Sequence, residues 1–188
     1  MPETAACGYK QYTECLNDLM DYFILTDIEG LTTYQEEEGL QADLLTEFTS
    51  NESGDCAVES GVMVPLAGIE NYPYILYFNL GVHSVFEQRH SDLQHRQSGY
   101  VLQVVSGRVY LLTMPLLRDW PTLSAVVVAH KPYLDIANGW YQVTVHIGET
   151  QQESGWEPTL EFMFEPVAQK PALKADINYR YGIDAREY

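Results

Sequence analysis

From Gly61 onward the chain is cut into short β-rich runs bounded by turn residues, and this punctuation constrains the fold more than any other feature. Gly61-Val62-Met63-Val64-Pro65-Leu66 and Tyr74-Ile75-Leu76-Tyr77-Phe78-Asn79-Leu80 read as strands. Residues 140–147 alternate, with Tyr141, Val143, Val145 and Ile147 on one side and Gln142, Thr144 and His146 on the other. In residues 159–165, Leu160, Phe162 and Phe164 are expected to point inward and Glu161, Met163 and Glu165 outward. Residues 100–105 and 108–114 flank Ser106-Gly107, a two-residue link of the kind that closes a tight hairpin. Residues 123–129 are continuous and β-branched, as expected of a strand buried on both faces.

These runs predict a mainly β fold, an antiparallel β-sandwich or open barrel of about seven to eight strands, with one or two short helices near the N-terminus. Tyr12, Leu16, Leu19, Met20, Phe23 and Ile24 recur at helical spacing, although Tyr9, Tyr12 and Thr13 leave an N-terminal strand open. Leu40, Leu44, Leu45 and Phe48 offer a second helical segment. A chain of 188 residues fits a single domain (1–188), divided here into an acidic N-terminal region (1–70), a β-sandwich core (61–166) and a tail (167–188). The tail reads as a loosely packed arm or a further edge strand.

Charge is distributed unequally. The chain carries 27 acids against ten bases, a formal charge of -17. Residues 1–70 hold 15 acids and one base, Lys10, whereas residues 71–188 hold 12 acids and nine bases. Acids placed for solubility alone would be spread over the whole surface. A field of this sign repels nucleic acid and anionic membranes and steers a basic protein inward. The stretch from Asp27 to Gly39 is the peak of this region, with Glu36, Glu37 and Glu38 adjacent.

The partner-binding residues expected from this pattern are Asp27, Glu29, Tyr34, Glu36, Glu37, Glu38, Asp43 and Glu47. Carboxylates complement Lys and Arg, while the tyrosine supplies a desolvated centre.

No nucleotide-binding glycine loop, nucleophile elbow or zincin motif occurs, and no catalytic residue or cofactor is assigned. The alternative reading is a metal-dependent enzyme or small-ligand-binding β-sandwich built on His83, Glu87 and His90, with His95 nearby. On a helix the first three would share a face, but the spacing matches no zincin, so no metal is assigned. Cys7, Cys15 and Cys56 are odd in number and form no CxxC pair, which points to reduced thiols. Trp140 and Trp156 read as packing residues at strand starts rather than a sugar platform. Met1-Pro2-Glu3-Thr4 has no signal-peptide character, and no apolar run approaches the roughly 20 residues of a membrane span. A soluble, cytoplasmic protein is expected.

The run from Ser98-Gly99-Tyr100 through Thr113, followed by Tyr133-Leu134-Asp135-Ile136-Ala137-Asn138-Gly139-Trp140-Tyr141-Gln142-Val143-Thr144-Val145, resembles the C-terminal half of the competence protein J family. Members of that family inhibit a partner nuclease. The resemblance implies a small cytoplasmic β-sandwich, like bacterial immunity proteins, that binds and silences a toxic or nucleolytic protein. It carries no inhibitory residue across. The combined expectation is a non-enzymatic acidic inhibitor of a basic partner, a nuclease or other toxin, with a nucleic-acid-mimic anti-defence protein as a related alternative.

Overall fold

The computed structural model describes residues 8–15 and 20–186. Among them nine strands form two sheets. The five-stranded sheet runs β1 (Tyr9–Cys15), β4 (Pro73–Asn79), β9 (Gly155–Val167), β8 (Gly139–Gln152), β5 (Ser91–Val104). The four-stranded sheet runs β3 (Met63–Ala67), β2 (Tyr22–Thr26), β6 (Arg108–Thr113), β7 (Tyr133–Asp135). All pairings are antiparallel except β4 with β9, which is parallel. The expected mainly β, sandwich-like architecture is what the chain adopts.

The inner faces meet in one core, with Phe23, Leu25, Val64 and Leu66 of the smaller sheet against Leu76, Phe78, Val145 and Phe162 of the larger. On the far side of the smaller sheet, Ile24, Met63, Tyr110 and Leu112 pack a second apolar layer against helices. These are α1 (Ile28–Glu37), α2 (Leu44–Ser50), α3 (Ser53–Glu59), a 3-10 helix at Met114–Leu117 and α5 (Trp120–His130). Strand β2 is therefore apolar on both faces, and Phe23-Ile24-Leu25 runs unbroken. A further short helix, α4 (Val85–Gln88), lies on the larger sheet, where Val85 and Phe86 cover Tyr77.

Two local expectations are corrected, and one left open is decided. Residues 12–24 supply strands β1 and β2 and not a helix, because two-sided burial of β2 put apolar residues where a helical stripe also fits; residues 16–19 lie outside the described residues. Residues 123–129 belong to helix α5 and not to a strand; Pro121 opens its first turn, and of the valines only Val127 is fully buried. Ser106-Gly107 closes no hairpin. Strand β5 pairs with β8 while β6 pairs with β2 and β7, so residues 105–107 carry the chain from one sheet to the other. Strand β6 needs both faces covered, Val109 and Leu111 by the inner core and Tyr110 and Leu112 by helices, and only the four-stranded sheet offers that. The tight hairpin is β8 to β9, where Gln152 pairs with Gly155. The helical segment around Leu44 and Leu45 is present as α2.

Residues 168–186 form a packed strap. Tyr181 is fully buried in the inner core, where it shares a 2.7 Å hydroxyl–hydroxyl hydrogen bond with Tyr100. Gly99, at φ +90 in a bulge of β5, accepts the Lys174 N–H at 3.0 Å, and a Cβ there would lie 2.8 Å from Lys174. At the strap's end, Arg186 meets the buried Glu149 carboxylate at 2.6 Å and stacks 3.8 Å above Trp156. No helix among the described residues is long and apolar enough to cross a membrane.

Candidate functional site

The acidic region folds into the helical layer on the smaller sheet, and its carboxylates divide into two groups. Glu29, Glu36, Glu37 and Glu38 are exposed on α1 and its C-terminal end, with Glu52, Asp55 and Glu59 exposed around α3. The other group is structural. Asp27 has no exposed surface. Its Oδ1 caps α1 by accepting from Glu29 N at 3.0 Å and Gly30 N at 3.3 Å. Its Oδ2 accepts from Val105 N and Ser106 N, both at 2.7 Å, and so holds the crossing between the sheets. Asp43 caps α2, accepting the Thr46 N–H at 3.0 Å and hydroxyl at 2.7 Å, and these bonds hold its carboxyl below the ordinary range. Glu47 accepts from Gln41 N at 3.1 Å and Asn51 Nδ2 at 3.2 Å.

Tyr34 sits on the inner side of α1, buried with Leu31 and Gln35 at the one-turn spacing that a helix face requires. Its hydroxyl donates to Ser53 O at 2.9 Å, and burial, with Cys56 and Glu38 nearby, pushes the phenol up to about 12. Tyr34 therefore packs the helical layer from within. Cys56 is exposed on α3.

Four of the exposed acids, Glu36, Glu37, Glu38 and Glu59, stand where helix stability disfavours them, whereas Glu29, Glu52 and Asp55 lie at helix N-termini. A helix C-terminus carries partial negative charge, so cations there stabilise and anions destabilise, each by about 0.3–1 kcal/mol when exposed. Glu36 and Glu37 occupy the last turn of α1, Glu38 is its C-cap, and Glu59 ends α3. None of α1, α2 or α3 has a base in its last turn, and no Lys or Arg occurs between Lys10 and Arg89. Beside α1 lies α5, joined to it by the Trp120 indole N–H, which donates to Thr32 Oγ1 at 3.0 Å. Helix α5 buries Trp120 and Val127 but leaves Val126 38% and Val128 52% exposed. Helix α5, with these two valines exposed on either side of the buried Val127, thus packs beside the helix that ends in Glu36–Glu38, a combination invisible from residues 1–70 alone.

The histidines of the alternative reading do not converge. Helix α4 is four residues long, so His83 and His90 lie outside it. His83 Nδ1 is 3.8 Å from Glu87 Oε2 with both side chains exposed; His90 bonds Gln151 at 3.1 Å; His95 bonds Tyr179 at 2.9 Å. Among the described residues no three His, Cys, Asp or Glu side chains gather as a metal site.

A buried polar cluster on the outer face of the larger sheet was not anticipated. Cross-strand partners His146 (β8) and Glu161 (β9) meet there, His146 Nδ1 donating to Glu161 Oε2 at 2.8 Å. Glu161 also accepts from Ser84 Oγ, from Asn79 Nδ2 at 2.7 Å and from Val85 N at 2.9 Å. Burial pushes its carboxyl up, but the bonds from His146, Ser84, Asn79 and Val85 outweigh this and leave it below the ordinary range. Ser84 Oγ lies 3.2 Å from the same Nδ1 that Glu161 binds. A serine nucleophile needs its base at the opposite ring nitrogen, so these three are not a hydrolytic triad. Alternation placed His146 and Glu161 outward; Ser84-Val85-Phe86-Glu87, a capping-box pattern, signals the start of a helix but not the side chains it covers.

No protein-family model matches the chain, and no curated protein matches it. Among solved structures it is similar to the crystal structure of ComJ, inhibitor of the DNA degrading activity of NucA, from Bacillus subtilis. The two share 10% identity over 85% of this chain and 95% of that one, at a TM-score of 0.43.

Proposed function

We propose that this protein binds and blocks a cationic protein through its helical layer, without turnover of its own. The observation that carries this reading is the placement of Glu36, Glu37 and Glu38 at the C-terminal end of α1, with no base in that turn. Helix stability opposes acids at that position, and a surface that meets Lys and Arg favours them. Glu29, Glu36, Glu37 and Glu38 supply the steering charge, and the exposed valines of α5, Val126 and Val128, supply apolar contact that Tyr34, being buried, cannot. Asp27, Asp43 and Glu47 hold the surface in shape. A nuclease or other toxin with a phosphate-binding cleft is the partner class that fits, because such a cleft is cationic and open to a large acidic surface.

The test is capture from host extract at low salt, with wild-type protein and the Glu36→Lys/Glu37→Lys/Glu38→Lys variant side by side. The wild type should retain a basic protein that the variant loses and whose activity the wild type suppresses. Equal retention by both would move the interface elsewhere.

A further inference from the structure

The outer face of the larger sheet carries a second site. Between that face and residues 80–87 lies a cleft of about 680 Å³, within the size range of small-molecule sites. Leu80, Val82 and Leu93 line it although they are 46%, 87% and 42% exposed, and Phe86 and Met163 continue the apolar wall. Two buried polar side chains also line it, His146, only 5% exposed, and Ser84, whose hydroxyl is bonded to Glu161. The His146 Nδ1 is committed to Glu161, and among the described residues no protein group is hydrogen-bonded to its Nε2.

The chemistry of the ligand follows from the tautomer. An ionised Glu161 requires the proton on Nδ1, so an imidazole with one proton presents Nε2 as an acceptor, a device by which one ring nitrogen is fixed through the bond the other makes. Arg96 lines the cleft too, opposite His146 on β5, but Glu87 and Glu165 also line it and the chain's charge is -17, which disfavours an anion. We propose that the cleft binds a small neutral, mainly apolar molecule bearing a hydroxyl donor, a phenol or alcohol, whose hydroxyl donates to His146 Nε2.

The test titrates 4-ethylphenol and ethylbenzene into the full chain, following backbone amide resonances and the imidazole nitrogens. The free protein should show His146 protonated at Nδ1 alone. 4-Ethylphenol should shift resonances of residues 80–87, 144–146 and 163, binding roughly three- to tenfold more tightly than ethylbenzene, the range of one hydrogen bond. His146→Phe should remove that preference, and Met163→Trp, which fills the cleft, should weaken both ligands. An Nε2-protonated tautomer, no shifts in those residues, equal binding of the two ligands by the wild type, or a preference that survives in His146→Phe would overturn the proposal. Should His146→Phe not fold, the tautomer and Met163→Trp decide it.

Discussion

Ser106 donates its backbone N–H to Asp27 Oδ2 at 2.7 Å, so an acid from the most negative stretch of the chain fixes the point where the chain leaves one sheet for the other. Three further backbone N–H groups, from Glu29, Gly30 and Val105, end on the same carboxylate. Asp27→Ala removes a helix cap and leaves buried donors without an acceptor, and should cost about 3 kcal/mol or more. Chemical denaturation should show the loss, whereas Glu29→Ala, a neighbouring exposed acid, should leave the midpoint nearly unchanged.

The acids that end α1 should behave oppositely. Glu36→Lys/Glu37→Lys/Glu38→Lys places cations at the negative end of the helix dipole and should stabilise the fold by about 1 kcal/mol or more at low ionic strength. High salt should shrink the gain, because exposed charges are screened. A destabilised variant would mean that these side chains support the fold.

Glu161 gives the fold an acid-sensitive point. Its folded carboxyl lies below the ordinary range, so the unfolded chain, titrating near pH ~4.3, takes up the proton first as pH falls. Its contribution is complete above the unfolded value and is lost as pH falls through the folded one. Glu161→Gln should be less stable than wild type at pH 7, with the difference narrowing below about pH 4. A constant difference from pH 7 to 3 would contradict the assignment.

At alkaline pH the buried tyrosines act in the other direction. Burial pushes Tyr100 up to about 12 and raises Tyr74 and Tyr181 as well. The unfolded chain ionises these phenols near pH ~10, so their contribution is complete below that value and fades above it. Tyrosinate absorbance should rise in two stages, exposed phenols first and the buried set together with unfolding. Tyr181→Phe should keep the strap packed while lowering the amplitude of the second stage.

How far the sequence disclosed this structure depended on whether a segment's partners were periodic or merely adjacent. Strands β8 and β9 were legible because one face of each meets the inner core and alternation records it. Strand β2 and helix α5 were not, since Phe23-Ile24-Leu25 is buried on both faces and Ala125-Val126-Val127-Val128-Ala129 is apolar where it meets solvent. Charge located the helical layer but could not separate Asp27 and Asp43, which accept backbone hydrogen bonds, from Glu36–Glu38, which do not fill that role. The cluster at Glu161 depends on β4, β8, β9 and α4 meeting, and no local pattern encodes that meeting.

The proposed interface is tested most directly by association and dissociation rates with the captured partner across ionic strength. Wild-type association should fall steeply as salt rises, and the Glu36→Lys/Glu37→Lys/Glu38→Lys variant should associate slowly with little salt dependence. Val126→Ser/Val128→Ser should leave association intact and speed dissociation, since apolar contact acts after encounter. Rates that respond neither to salt nor to these substitutions would contradict the claim that the helical layer is the binding surface.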